Sequence, residues 1–144
     1  MHTRSVLRRN LVRLLACIVL AAALPAAAKS REKILVDTLR AYAATIRWGS
    51  IEQAESFVAP DWRTAHPLTP LELERFRQVR FTSYNERPAV AVDDFEVRQT
   101  VEIGLVNLHS QQARTVIDNQ VWKFDKKAKT WLLHSGLPDI TRRD

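Results

Sequence analysis

Apolar positions between residues 30 and 77 recur with helical spacing. The first set is separated by four, three and four residues, as on one face of an amphipathic helix. Its members are Leu35, Leu39, Tyr42 and Ile46. The pattern therefore predicts a long helix over residues 30–48, which Gly49 ends.

Two shorter helices are predicted to follow, over residues 51–58 and 70–77. Ser50 and Thr69 precede them, and each is followed three residues later by a Gln or a Glu. This is the capping-box pattern, in which two side chains satisfy backbone N–H groups at the start of a helix. Residues 61–68, between the two helices, are predicted to form a loop.

Beyond residue 78 the hydrophobic pattern changes to a period of two, which predicts an antiparallel sheet. The predicted strands are residues 79–83, 95–109, 115–124 and 130–135. In the longest strand the odd-numbered positions are mostly apolar, so the sheet has a predicted inner face. Adjacent apolar residues at Val116 and Ile117 predict a bulge. Trp122 and Trp131 flank the last hairpin and are predicted to pair across it.

Residues 1–28 have the composition of a secretory signal peptide. Arginines without acids precede an apolar stretch over residues 14–24, and an A-x-A site follows that ends at Ala28. Eleven apolar residues are too few for a helix to span a bilayer, so we expect no stable membrane span. Lipidation at Cys17 and twin-arginine export through Arg8-Arg9 are the alternatives. The mature protein is expected in the periplasm or outside the cell.

Cleavage near Ala28 changes the charge balance, because the removed segment holds four arginines and no acid. The remaining chain has 18 basic and 16 acidic residues, so its net charge is +2 in place of +6. This balance argues against a nucleic-acid partner. Residues 29–138 are predicted to form one domain and residues 139–144 a short tail.

Composition excludes several kinds of chemistry. The only cysteine leaves with the signal peptide, so the mature chain has neither a disulfide nor a thiolate nucleophile. Three glycines cannot build a phosphate-binding loop, and the histidines show no metal-ligand spacing. We therefore expect no metal and no cofactor.

The order of elements, three helices and then a bent antiparallel sheet, resembles the NTF2-like (cystatin-like α+β cone) superfamily. The resemblance rests on the helix ending at Trp48-Gly49, the second helix leading into residues 60–62, and the aromatic hairpin over residues 121–133. It implies a cone with an internal pocket, and often a homodimer formed across the outer sheet face. The superfamily includes isomerases, dehydratases, transport factors and binding domains, so the resemblance selects no chemistry.

The candidate site residues are polar or aromatic side chains near the predicted pocket. The sharpest catalytic candidate is Asp61, as a general base with Tyr84 or His109, since an apolar pocket raises the pKa of a carboxyl group. The alternative is that Asp61 caps a loop and faces water. The candidate ligand-binding residues are Trp48, Trp62, Tyr84, Gln99, Asn107 and His109. Tyr42 is expected in the core with its hydroxyl at the pocket rim.

The leading functional hypothesis is an exported, non-catalytic binding or accessory domain of the cell envelope. It would contact a partner protein or a small apolar molecule in or around the cone. The alternative is a cofactor-free isomerase or dehydratase that uses Asp61. A structural homodimer is a third possibility and predicts an exposed apolar stripe around Val106 and Leu108.

Overall fold

The computed structural model describes the backbone of residues 3–141 and the side chains of residues 26–141. The chain divides into two compact units, Met1–Lys33 and Ile34–Asp144. The side chains on which the signal-peptide prediction rests, those of residues 4–24 with Cys17 among them, lie outside the described residues. Among the described residues, no helix combines the length and apolar character that a membrane crossing requires.

The second unit is an α+β structure, as the sequence predicts. The described helices are α1 (Thr3–Trp48), which belongs to the second unit only from Ile34 onward, α2 (Ile51–Glu55), α3 (Pro60–Ala65) and α4 (Pro70–Arg77). The strands are β1 (Val79–Glu86), β2 (Val90–Ala91), β3 (Glu96–Asn107), β4 (Ala113–Asp125) and β5 (Thr130–Leu133). The strands form an antiparallel sheet in the order β1-β3-β4-β5, with β2 on β3, and the sheet curls into a half-barrel that the helices contact.

The predicted starts of α2 and α4 are confirmed by their caps. At α2, the Ser50 hydroxyl accepts from the backbone N–H of Gln53, whose side chain accepts from the N–H of Ser50 at 2.9 Å. At α4, Thr69 and Glu72 form the same reciprocal pair, with Glu72 Oε2 at 2.8 Å from the Thr69 nitrogen. Local capping therefore fixes both helix starts.

The prediction of a loop over residues 61–68 was wrong for its first half, where α3 forms. Pro60 occupies the first turn of α3, where its missing N–H costs no hydrogen bond, and Asp61 places a negative charge there. The backbone N–H of Arg63 donates to the carbonyl of Ala59 at 3.0 Å. This turn places Trp62 and Arg63 side by side on a helix.

The inner face of the sheet is formed by alternate residues of β3 and β4. On β3 these are Val97, Gln99, Val101, Ile103 and Leu105, all buried as predicted. On β4 they are Val116, Asp118, Gln120 and Trp122, also buried. The pairing of the two strands is continuous, so the bulge predicted near Val116 and Ile117 is absent. The irregularity lies instead in β1, between Phe81 and Ser83.

The tryptophans of the last hairpin do not pair with each other, contrary to the prediction. Trp122 lies opposite Leu133, and Trp131 lies opposite Phe124. The rings of Phe124 and Trp131 meet edge to face at 5.5 Å, while Trp122 packs edge-on against Tyr42 at 5.2 Å. The register therefore directs Trp122 into the core beneath α1.

The two edges of the sheet differ. At β5, Leu133 bridges in parallel to Val58, and its backbone exchanges hydrogen bonds with Phe57 and Ala59 at 2.8 and 2.9 Å. The segment between α2 and α3 therefore covers that edge. At the opposite edge, β1 pairs with β3 alone in the described part of the chain.

Candidate functional site

Five polar side chains lie between two apolar clusters of the core, and we call them the polar layer. They are Tyr42, Tyr84, Gln99, Asp118 and Gln120. One apolar cluster contains Trp122 and Val97, and the other contains Ile103 and Val116. The strand register creates the layer. Gln99 on β3 lies opposite Gln120 on β4, and Asp118 is the inward-facing residue that precedes Gln120 on β4. The layer therefore interrupts an otherwise apolar inner face.

Gln120 is the centre of the polar layer. Its Nε2 group donates to Asp118 Oδ2 at 2.8 Å and to the Tyr84 hydroxyl at 2.9 Å. Its Oε1 atom accepts from the indole N–H of Trp122 at 3.0 Å. All the hydrogen-bonding groups of this amide are thus engaged, as the burial of Gln120 requires.

Burial changes the protonation chemistry of the layer. Loss of solvation raises the pKa of Asp118 to about 6, although the hydrogen bond from Gln120 opposes the change. Burial also raises the pKa of Tyr84, and it raises the pKa of Tyr42 well above its ordinary value. Both tyrosines are therefore neutral hydroxyls, while Asp118 titrates near the physiological range.

Two buried atoms of the layer, the Tyr42 hydroxyl and Gln99 Oε1, make no hydrogen bond to any residue that the structure describes. Tyr42 is fully buried, so the expectation of a hydroxyl at a pocket rim was wrong. The reason is that Phe57 and Trp122 pack edge-on against its ring. Gln99 keeps one partner, because its Nε2 donates to the backbone carbonyl of Arg87 at 3.0 Å.

Four grooves of the described part of the chain lie outside the polar layer. Their lining residues include none of its five members. Trp122 and Gln120 are also almost fully enclosed. Side chains thus pack closely around Gln120 and Trp122 on the inner face of the curved sheet.

One groove lies between α3, α4 and the segment after β5, and we call it the Trp62 groove. Its volume is about 350 Å³. Its aromatic and apolar lining includes Val58, Trp62, Leu68, Phe76, Leu137, Pro138 and Ile140. The Trp62 ring stacks on His66 with centroids 4.3 Å apart and planes inclined by 23°. The two rings together form a flat aromatic wall.

Gly136 sets the position of Trp62. Its backbone has φ +75°, and a Cβ atom at this residue would lie 2.7 Å from the Trp62 indole nitrogen. The chain can therefore pass this close to the ring only with glycine at this position.

Two arginines line the Trp62 groove, Arg63 and Arg75. The Nε atom of Arg63 is buried and has no hydrogen-bond partner among the described residues. Two of the acids at the groove are engaged locally, since Glu72 caps α4 and Asp139 accepts from the N–H and hydroxyl of Thr141. The groove is thus lined by an arginine whose Nε–H makes no hydrogen bond to the described residues.

A second groove, the Trp48 groove, lies where α1 ends, against α2, α4 and β1. Its volume is about 520 Å³, and its lining includes Trp48, Ile51, Phe76, Phe81 and Leu108. The Trp48 side chain is 76% exposed, and the Arg47 guanidinium lies 4.7 Å from the centre of its ring.

The structure distributes the predicted ligand-binding residues over several places. Trp62 and Trp48 line the two different grooves, while Tyr84 and Gln99 belong to the polar layer. Asn107 stabilises the β3–β4 turn, because its side chain accepts from the backbone N–H groups of His109 and Ser110. His109 is exposed in that turn.

Asp61 is exposed in the first turn of α3 and is not close to His109, one of its two predicted partners. It lines a shallow groove with Phe124 and Asp125, at the end of β4. His109 lies in the turn that precedes the start of β4. Asp61 and His109 are therefore at opposite ends of this strand.

Sequence reasoning missed Asp118, Gln120 and Arg63. The period-two pattern of β4 places even-numbered residues inside, but apolar residues at Ile117 and Val121 on the other face obscured it. Arg63 was missed because its helix was predicted to be a loop.

The described residues contain no group of three or more His, Cys, Asp or Glu side chains that is able to hold a metal ion. No protein-family model matches the chain, and no curated protein matches it. The observed architecture is compatible with a cone-like α+β fold.

Proposed function

We propose that this protein is an exported, non-catalytic binding domain of the cell envelope with an NTF2-like fold. Its ligand would be a small, largely apolar molecule that carries one anionic group, bound in the Trp62 groove. The observation that carries the proposal is the buried, unpartnered Nε of Arg63 beside the stacked rings of Trp62 and His66.

The chemistry of the groove supports this ligand class. Arg63 is half-buried and lines the groove, so an anionic group bound there would meet the positive charge of its guanidinium. Arginine suits carboxylate and phosphate groups because its planar fork donates two parallel hydrogen bonds. The aromatic wall and Phe76 supply the apolar contact that holds the body of such a molecule.

The close packing on the inner face of the sheet supports a binding role over catalysis. A proton-transfer enzyme needs its acid or base within hydrogen-bond reach of the substrate. Arg63 and Arg75 of the Trp62 groove suit binding of an anion, while the groove's three acids, Glu55, Glu72 and Asp139, restrict that anion to the arginine side.

Native mass spectrometry of the protein purified from the exporting cell tests this function. We expect a mass that begins at Lys29 and a small molecule that collisional activation releases. The Trp62→Ala variant should lose that molecule, and the Trp48→Ala variant, altered in the other groove, should keep it. A ligand-free protein, or a ligand that Trp62→Ala retains, would contradict the proposal.

One observation favours a second candidate, a cofactor-free isomerase or dehydratase. Asp118, with its pKa near 6, lies beside the neutral hydroxyl of Tyr84, and this pair takes the place that the sequence assigned to Asp61. Such an enzyme would exchange the α-protons of a ketone substrate with solvent deuterium. Deuterium exchange that is lost in Asp118→Asn and retained in Asp61→Asn would favour this enzyme over the proposed binding domain.

A further inference from the structure

The Trp48 groove leaves large apolar side chains in contact with solvent. Trp48 is 76% exposed and Leu108 is 39% exposed, and both line the same depression. Phe76 and Phe81 form part of its wall. Clustered exposed apolar surface on a soluble domain is typical of an interaction site.

The rim of the Trp48 groove is basic. Three arginines line it, Arg47, Arg77 and Arg80, together with a single acid, Glu52. Arg77 forms two long, exposed ion pairs, with Glu52 at 3.8 Å and with Glu74 at 3.7 Å, so the unbalanced positive charge of the rim comes mainly from Arg47 and Arg80. An exposed Trp surrounded by arginines has the composition of a binding hot spot.

The same groove adjoins an edge of the sheet. Residues Val79, Arg80 and Phe81 of β1 form one of its walls, and β1 pairs only with β3 in the described part of the chain. An edge strand directs one row of backbone N–H and C=O groups away from its neighbour, where an added strand pairs with them. The opposite edge, at β5, is covered by the segment between α2 and α3.

We propose that the Trp48 groove and the free edge of β1 bind an extended, acidic segment of a partner protein. The backbone of this segment would pair with β1, and an apolar side chain would enter the groove beside Trp48. Its acidic residues would face Arg47 and Arg80. This surface shares only Phe76 with the lining of the Trp62 groove, so the inference does not rest on the proposed ligand.

Charge distinguishes this partner from a second copy of the chain. In a two-fold contact the same surface patch meets itself, so a homodimer through this groove would bring the three arginines of each copy together. Like charges at an interface disfavour association, whereas an acidic segment neutralises them. The possible homodimer is thus disfavoured at this surface.

Selection from a display library of random ten-residue peptides tests the inference on the whole protein. We expect the enriched peptides to alternate acidic and apolar residues. Their affinity should fall about 30-fold or more in Trp48→Ala, as for a hot-spot residue. It should fall with rising salt, and N-methylation of alternate peptide bonds should abolish binding if the peptide pairs with β1.

The matched control is Trp62→Ala, which should bind the enriched peptides as the native protein does. If no small ligand binds in the Trp62 groove, the peptide results at the Trp48 groove should not change. A failure of one proposal can therefore be distinguished from a failure of the other. Enrichment of peptides without acidic residues, affinity unaffected by Trp48→Ala, or no enrichment would overturn the inference. So would a homodimer in solution that Trp48→Ala dissociates.

Discussion

Replacement of Asp118 by asparagine is expected to stabilise the domain at neutral pH. The carboxyl group lies in the polar layer between two apolar clusters, and it is 7% exposed. Gln120 Nε2 is the donor that contacts Asp118, and an asparagine oxygen accepts the same hydrogen bond. The substitution Asp118→Asn therefore removes a buried negative charge with little change of shape.

The size of this effect follows from the pKa of Asp118. Burial raises it from 3.8 to about 6, so the folded state holds the proton more tightly than the unfolded state. Between these two pH values the folded protein is protonated and the unfolded chain is not, so this group's contribution to stability falls as the pH rises. At about 1.4 kcal/mol per pKa unit, the loss amounts to about 3 kcal/mol and is complete above pH 6.

Urea denaturation followed by circular dichroism at several pH values measures this effect. The difference in free energy of unfolding between Asp118→Asn and the native protein should be near zero below pH 4. It should increase to about 3 kcal/mol at pH 7, which corresponds to a midpoint shift of about 1–2 M urea. The control Asp61→Asn removes an exposed charge from the first turn of α3 and should not make the domain more stable than the native protein at pH 7. A pH-independent difference for Asp118→Asn, or a less stable variant at pH 7, would refute the reasoning.

Three other substitutions test separate features. Gly136→Ala should lower stability by about 1–2 kcal/mol in thermal denaturation and weaken ligand binding, because φ is +75° there and the new methyl group meets Trp62; an unchanged melting temperature would contradict this. Thr69→Ala should cost about 1 kcal/mol through loss of the α4 cap, while Thr69→Ser should retain most of that stability. Tyr42→Phe should be neutral or stabilising in urea denaturation, because it removes a buried hydroxyl without a partner. A large loss of stability would instead reveal a hydrogen bond to that hydroxyl.

Much of the fold could be predicted from local pattern. The caps at Ser50 and Thr69 and the alternation along β3 are encoded within a few residues of each element, so they were predictable. The cross-strand register could not be predicted, because it depends on how strands that are distant in sequence align. The prediction that Trp122 pairs with Trp131 failed for that reason.

The candidate site was less predictable than the fold. The sequence places Gln99 on the inner face of β3. That Gln99 lies opposite Gln120 is determined by the strand register alone. The close packing on the inner face of the sheet depends on how Tyr42 and Trp122 contact each other, which no local pattern specifies. Trp62 was identified as a candidate from its residue type. Its stacking on His66 could not be predicted, because it depends on α3, which was predicted to be a loop.

The most direct test of the central claim is a nuclear magnetic resonance titration of the four indole N–H groups with 1-naphthylacetate. This compound combines an aromatic body with one carboxylate, as the proposed ligand does. The signal of Trp62 should shift to saturation, while that of the fully buried Trp122 should not move. A shift of Trp122 would show that the ligand enters the interior of the half-barrel, and an unchanged Trp62 signal would contradict binding in the Trp62 groove.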